Sequence, residues 1–284
     1  MLRLPAAYGE ARSLLREFSP DVVLGLGGLA SFPVVLAAAN RGIPRAVLEI
    51  NAVPGRATRW LRPFADAVFV ANEEAKNRVG RKAILTGAPI RASFEAGPSR
   101  ESARAALGLD PKAPTLVVLG GSQGAAAVNR AAAECLEGLE CRGGQLIWVA
   151  GPGKDDEARA ACAARPRLRS VVFGYVDDAA PLYAAADAAL CRGGASTVAE
   201  LAASGLPSVV IPYPHHRDKQ QTWNARQLGA GALIVEEDAR TSDRARAALF
   251  SILDDGDRRL QMARACRSAA RPGRPPKWPA HSTP

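Results

Sequence analysis

The chain has 284 residues, 48% of them apolar, a formal net charge of +9, and five cysteines at 135, 141, 162, 191 and 266 with no Cys-x-x-Cys spacing. That length suits two domains with sizeable cores, while an odd, scattered set of thiols and three histidines exclude a disulfide framework and give no support to a metal site. The chain shows no run of roughly 18 apolar residues and no signal-peptide core at its start, so no membrane-spanning helix is expected.

In chain order, short apolar runs predict strands over residues 22–26, 46–49, 67–70 and 83–86. A break at 92–99, with Gly97 and Pro98, reads as a linker. Further strands are predicted over 115–119, 145–150, 171–173, 188–191, 208–211 and 232–235. Several are continuously apolar, as expected of parallel strands covered on both faces. Helices fill the gaps, for example 32–40, 100–107, 125–136, 178–185 and 243–253. Repeated βα units imply doubly wound parallel sheets with ligands at the carboxyl ends of the strands. The organisation read from this is a first domain over 1–93, a second over 94–270, and an irregular tail over 271–284.

Three segments carry chemistry. Gly120-Gly121-Ser122-Gln123-Gly124 follows a strand and opens a helix. Helix starts expose unpaired N–H groups and the positive end of the peptide dipole, which suits a diphosphate. Its glycines permit close backbone approach, and Ser122 and Gln123 add donors. Alone, such a turn reads equally as a plain strand-to-helix joint. Arg192-Gly193-Gly194-Ala195-Ser196-Thr197 repeats the pattern before a helix that carries Glu200. There Glu200 fits a ribose diol, or a carboxylate in the first helical turn that complements the dipole. The polar loop from Pro212 to Asn224 ends in Gln220 and Gln221, paired donors and acceptors suited to sugar hydroxyls. Asp177-Asp178 precedes a helix and reads first as an N-cap.

Together these segments resemble the nucleotide-sugar half of the lipid II-forming N-acetylglucosaminyltransferases, the MurG family. Upstream, the stretch Pro20 to Ser31 with its Gly27-Gly28 turn, Glu49-Ile50-Asn51-Ala52-Val53-Pro54-Gly55, and Gly87-Ala88-Pro89-Ile90-Arg91 look like further family motifs in the family's order. The resemblance runs from about residue 19 to about 232. Departures include Leu48 for a usual histidine, Ile50 for glutamine and Ala88 for asparagine. The family's first strand and its Gly-Gly-x-Gly-Gly-His loop, which carries the proposed general base, have no match in residues 1–19. Its closing helix has no match after 271, so a member shortened at both ends is expected, with activity in question. Glu49 is left as the one catalytic option.

The resemblance implies an α/β fold of the GT-B type: two Rossmann-like domains facing a cleft, the first incomplete. It implies inverting transfer of N-acetylglucosamine from UDP-N-acetylglucosamine (UDP-GlcNAc) to a lipid-linked muramoyl-pentapeptide acceptor. No cofactor is implied, and no metal is needed for the diphosphate. By resemblance, Gly121 to Gly124 and Arg91 meet the diphosphate. Val176, Gly194, Ala195, Ser196, Thr197, Val198 and Ala199 border the uracil, and Glu200 holds the ribose. Gln220 and Gln221 bind the sugar, with Asn51 approaching from the acceptor side. Asn129 braces the glycine turn, reaches the donor or, equally, is an exposed helix residue.

The implied location is the cytoplasmic face of the inner membrane, peripheral. Trp60, Leu61 and Phe64 with Arg56, Arg59 and Arg62 form a cluster that fits an anionic leaflet or, equally, an ordinary buried helix. The charge comes from 31 arginines and six lysines spread along the chain, and aromatics are only 5%, so nucleic acid is not an expected partner. A UDP-GlcNAc epimerase and a non-catalytic UDP-sugar-binding remnant are the alternatives. Neither glycine turn makes a clean Gly-x-Gly-x-x-Gly with a following acid, which argues against a nicotinamide enzyme.

Overall fold

The computed structural model describes residues 4–121 and 124–270. They divide into two compact units, one running to Pro89 and the other spanning Ile90–Ala270.

The first unit alternates α1 (Leu4–Phe18), β1 (Val23–Gly25), α2 (Ser31–Asn40), β2 (Arg45–Glu49), α3 (Arg56–Leu61), β3 (Ala67–Val70), α4 (Glu73–Val79) and β4 (Ala83–Leu85). Its four strands are parallel in the order β1-β2-β3-β4. Ala11 and Leu15 of α1, Val35 and Ala38 of α2, and Leu61 of α3 pack with Val23 and Val47 of the sheet. Gly25 is required at the end of β1, because a Cβ there would lie 2.8 Å from Val35 Cγ2.

The second unit begins with a 3-10 turn, Ala92–Phe94, and α5 (Arg100–Ala106). It continues through β5 (Thr115–Leu119), α6 (Ala126–Cys141), β6 (Gln145–Val149), α7 (Asp155–Ala163), β7 (Arg169–Phe173), α8 (Ala180–Ala185), β8 (Ala188–Cys191) and α9 (Ala195–Ser204). It ends with β9 (Ser208–Val210), α10 (Gln220–Arg226), β10 (Ala232–Ile234), α11 (Thr241–Leu253) and α12 (Gly256–Ala269). The six strands are all parallel in the order β10-β9-β8-β5-β6-β7, the order of a doubly wound Rossmann sheet.

Side-chain alternation builds the two cores of this unit. Leu116, Val118, Leu146, Trp148 and Leu190 face α6, α7 and α11. Val117, Ile147, Val149, Ala189 and Cys191 face α8, α9 and α10. Each fully buried large aliphatic contributes about 1.5–3 kcal/mol, so both faces reward the continuous apolar runs in the sequence. Beneath β5, the buried Asp187 carboxylate accepts from the Thr115 N–H at 2.9 Å and pairs with Arg104 at 2.8 Å and Arg100 at 2.5 Å. That junction ties α5 and β5 to the start of β8.

All ten predicted strands are present, with ends shifted by no more than two residues. The unit boundary falls at Pro89 rather than after residue 93. Residues after it are claimed by the second unit through real contacts. Ser93 Oγ donates to Asp178 Oδ1 at 2.9 Å, and the Phe94 ring meets Tyr183 edge-on with centroids 5.1 Å apart. The expected tail, 271–284, lies outside the described residues.

Candidate functional site

In the second unit, β5 and β8 are hydrogen-bonded neighbours at the centre, where the strand order reverses. Both predicted glycine turns therefore leave the sheet side by side at the crevice where such sheets bind ligands. Each turn feeds a helix whose N-terminus has no side-chain cap, α6 after β5 and α9 after β8. Uncapped first turns present N–H groups that an anion can satisfy.

The first turn is shaped by glycine. Gly121 and Gly124 have φ of +72° and +55°, and a Cβ on Gly120 would stand 2.7 Å from the Ala150 carbonyl oxygen. Ser122 and Gln123 lie outside the described residues. The Gly124 N–H is not a cradle donor: it donates to the Gly121 carbonyl at 3.0 Å, closing the turn on itself. The contribution of Gly124 is close approach. Sequence reading missed the partner of this turn. Gly151, at φ +102° after β6, is backed against Gly124 so closely that no Cβ fits there, and Lys154 Nζ donates to the Gly124 carbonyl. The signal was available in Gly151-Pro152-Gly153, another strand–glycine–helix junction. Asn129 resolves as a brace. Its Nδ2 donates to the Ala150 carbonyl at 2.9 Å and its Oδ1 accepts from Trp148 Nε1 at 3.1 Å, so its amide is committed to the protein.

Around the second turn, Gly193 is pressed against the Gln221 carbonyl, leaving no room for a Cβ, and Asn224 Nδ2 donates to the Gly193 carbonyl at 3.1 Å. Gln221 Oε1 accepts from the Tyr213 N–H at 2.9 Å, which folds the 212–219 loop back onto α10. Gln220 begins that helix. Arg192 fastens the same corner through the Ile211 and Pro212 carbonyls, both at 3.1 Å, and Glu237 at 2.6 Å. Asn224 and Arg192 were in the quoted motifs without a role; their positions beside Gln221 and Gly193 were the clue.

Of the residues predicted near α9, Gly194, Ala195, Thr197 and Ala199 are half-buried and Ser196 is exposed at its start. Val198 is different: its side chain packs into the core beside Leu201, so it offers the site only backbone. Glu200 is also moved. The helix starts at Ala195, which puts Glu200 in the second turn and removes the dipole explanation. Its Oε2 instead accepts from the Tyr183 hydroxyl at 2.8 Å. Burial pushes the Glu200 carboxyl above the usual range, while the Tyr183 hydrogen bond and the Arg91 charge pull it down. Arg91 is thus exposed and close enough to act on Glu200. Val176, half-buried after β7, packs on the same core face. Asp178 Oδ1 accepts from the Ala180 N–H at 3.1 Å, but the N-cap of α8 is Ala179, without a side-chain cap, so the doublet lies before the capping position expected of it.

The first unit has its own recess of ≈ 400 Å³, lined by Gly27, Gly28, Asn51, Arg56 and Trp60 among others. Gly27 and Gly28 have φ of +83° and +71°. Glu49 is corrected from catalytic option to brace. It is 5% exposed, and its carboxylate accepts from Asn51 N and Nδ2 at 3.0 Å, Gly55 N at 2.8 Å and Thr58 Oγ1 at 2.6 Å. Those donors occupy both oxygens and shape the 50–58 loop, with the Asn51 side chain turned back onto Glu49. Trp60 and Phe64 are exposed among Arg56, Arg59 and Arg62, but Leu61 is fully buried and belongs to the core.

Comparison with known proteins gives two family matches. Residues 115–272 match the glycosyltransferase family 28 C-terminal domain, and residues 1–70 match the glycosyltransferase family 28 N-terminal domain. The UDP-N-acetylglucosamine–N-acetylmuramyl-(pentapeptide) pyrophosphoryl-undecaprenol N-acetylglucosamine transferase of Rubrobacter xylanophilus is 42% identical over 273 residues, covering 94% of this chain and 77% of that protein. The crystal structure of MurG from Acinetobacter baumannii superposes with a TM-score of 0.74 at 28% identity, covering 95% of this chain and 75% of that one. A UDP-GlcNAc 2-epimerase from Neisseria meningitidis, solved with UDP-GlcNAc bound, shares the fold with a TM-score of 0.67 at 13% identity, covering 92% and 75%.

Proposed function

The chain belongs to glycosyltransferase family 28, and we propose that it is a hexosyltransferase of peptidoglycan synthesis. In this reading it moves N-acetylglucosamine from UDP-GlcNAc to undecaprenyl-diphospho-muramoylpentapeptide, converting lipid I to lipid II with inversion at the sugar. The observation that carries the reading is the pair of uncapped helix starts, α6 and α9, side by side after β5 and β8 where the strand order reverses.

The chemistry follows from where charge develops. An acceptor hydroxyl attacks the anomeric carbon, the bond to the diphosphate breaks, and negative charge grows on the departing UDP. The α6 start and the Arg91 guanidinium meet that charge in the proposed scheme, with no bound cation assigned to it. Glu200 accepts from the ribose hydroxyls, residues 194–199 and Val176 border the base, and Gln220 and Gln221 hold the sugar. Gly151, Lys154 and Asn129 act behind them by fixing the turn. Asn51, on the loop braced by Glu49, belongs to the acceptor side.

The finer part of the proposal concerns the lipid. Among the described residues no helix is long and apolar enough to cross a membrane. Exposed Trp60 and Phe64 flanked by Arg56, Arg59 and Arg62 suit a peripheral seat on an anionic inner leaflet.

Isothermal titration with UDP, UDP-GlcNAc and NAD, followed by transfer of labelled sugar to the lipid-linked acceptor, tests the assignment. Binding of both uridine nucleotides, no binding of NAD and formation of labelled lipid II are expected. Epimerised sugar without transfer would move the chain to the epimerases, and NAD binding without UDP binding would overturn the donor site.

A further inference from the structure

We infer that Tyr183 is a positioning residue for nucleotide recognition: its hydroxyl holds the Glu200 carboxylate in the orientation that reads a ribose diol, and so sets the preference for ribo- over 2′-deoxyribonucleotides. The inference rests on the proposal that Glu200 faces the ribose, and it adds a determinant that has no local sequence signal.

Tyr183 lies on α8, 17 positions before Glu200 on α9, and is 3% exposed. Its ring fills a place that phenylalanine would fill as well, edge-on to Phe94 with an interplanar angle of 88°. What the hydroxyl adds is the 2.8 Å bond to Glu200 Oε2. A buried hydroxyl is costly without a partner, so its presence needs that bond to offset it.

The bond has two consequences for Glu200. A glutamate carboxyl rotates in a broad two-fold well about its last torsion, and one fixed hydrogen bond removes that freedom. An ionised carboxylate offers about four acceptor positions; Tyr183 takes one on Oε2 and leaves Oε1 for hydroxyls of a ligand. The same bond favours the charged form. Glu200 is held up by burial and by Asp178, and held down by Tyr183 and Arg91, while the buried Cys191 thiol at the end of β8 lies beside it. Tyr183 itself stays protonated, because burial and the Glu200 charge drive its ionisation well above the usual range. It is therefore a permanent donor to an acceptor that must be ionised to work.

The test is titration of the full chain with UDP and 2′-deoxy-UDP from acid to neutral pH, with wild type, Tyr183→Phe, Glu200→Ala and the double variant. Tyr183→Phe is expected to weaken UDP by about tenfold and 2′-deoxy-UDP by less, collapsing the ratio between them. Its acid-side loss of UDP binding should move to higher pH. In the Glu200→Ala background the same change should have no further effect, since the acceptor is gone. Site-specific 3-fluorotyrosine at 183, which preserves packing and strengthens the donor, should move the acid-side break to lower pH. It decides the matter should Tyr183→Phe fail to fold. A Tyr183→Phe protein with the wild-type ratio and pH profile, or with the same loss in both Glu200 backgrounds, overturns the positioning role and leaves the donor site standing. A wild-type chain that binds no UDP overturns the site reading on which the inference rests.

Discussion

Glu200 shows how one side chain gains its meaning from its surroundings. Six residues into α9, it cannot serve the helix dipole, and its burial is compensated by Tyr183 and Arg91. Replacing it with alanine is expected to weaken UDP binding by about 1–3 kcal/mol, the worth of hydrogen bonds to a charged group, as measured by calorimetry. Because burial holds its pKa above the ordinary value, protonation sets in earlier as pH falls. UDP affinity should accordingly begin to drop above the usual carboxylate range, and Glu200→Gln should flatten that dependence. Glu49 teaches the opposite lesson. A carboxylate in a family-like motif invites a catalytic role, yet four donors from Asn51, Gly55 and Thr58 consume it. The thiols are equally settled by place: Cys135, Cys191 and Cys266 are buried, and burial pushes each up to about 12, whereas Cys141 is exposed. Thiol labelling of the native chain should modify Cys141 first, and early labelling of Cys191 would contradict the packing beneath the second turn.

At the scale of elements, the site is a set of strand-to-helix junctions pressed together. The turn after β5 rests on the turn after β6 through Gly124 and Gly151, and the turn after β8 rests on α10 through Gly193 and Gln221. Glycine is needed at these points because backbone meets backbone with no space for a Cβ. Gly124→Val adds a clash with the Ala150 carbonyl, 3.0 Å from the new Cβ, at a φ of +55° that a β-branched residue resists. It is expected to abolish measurable UDP binding while far-UV circular dichroism stays similar. Normal affinity in that variant would remove the first turn from the donor site. Asn129, Trp148 and Lys154 belong to the same junction and hold the turn from behind.

For the whole molecule, two parallel-sheet units divide the labour. In the proposed scheme the six-stranded unit carries the nucleotide machinery, and the four-stranded unit carries the Gly27-Gly28 turn, the Glu49 brace and the arginine-flanked Trp60 and Phe64. With a net charge of +9, the chain is expected to bind vesicles containing phosphatidylglycerol and not those of phosphatidylcholine alone. Co-sedimentation should weaken between 0.1 and 1 M salt, as the screening length falls from about 10 to about 3 Å. Trp60→Glu should weaken it further at fixed salt. Equal binding to neutral vesicles, or no change in Trp60→Glu, would remove this surface from the proposal.

Strand positions, the two glycine turns and the Gln220-Gln221 helix were legible in the chain because apolar runs, glycine pairs and helix starts are local, and the ordered motifs carried the family. The roles of Glu49, Asn129, Val198 and Tyr183 were not. For two of them the partner lies across the fold: Trp148 and Ala150 for Asn129, and Glu200 for Tyr183. Residues 17 or more positions apart leave no periodicity to read when they meet. Strand, turn and helix after β5 and β8 can be read from the chain, since backbone preference and side-chain alternation act between near neighbours. Which polar groups are spent on the protein emerges only from the tertiary structure, since that depends on burial and on partners that packing alone brings within hydrogen-bond reach.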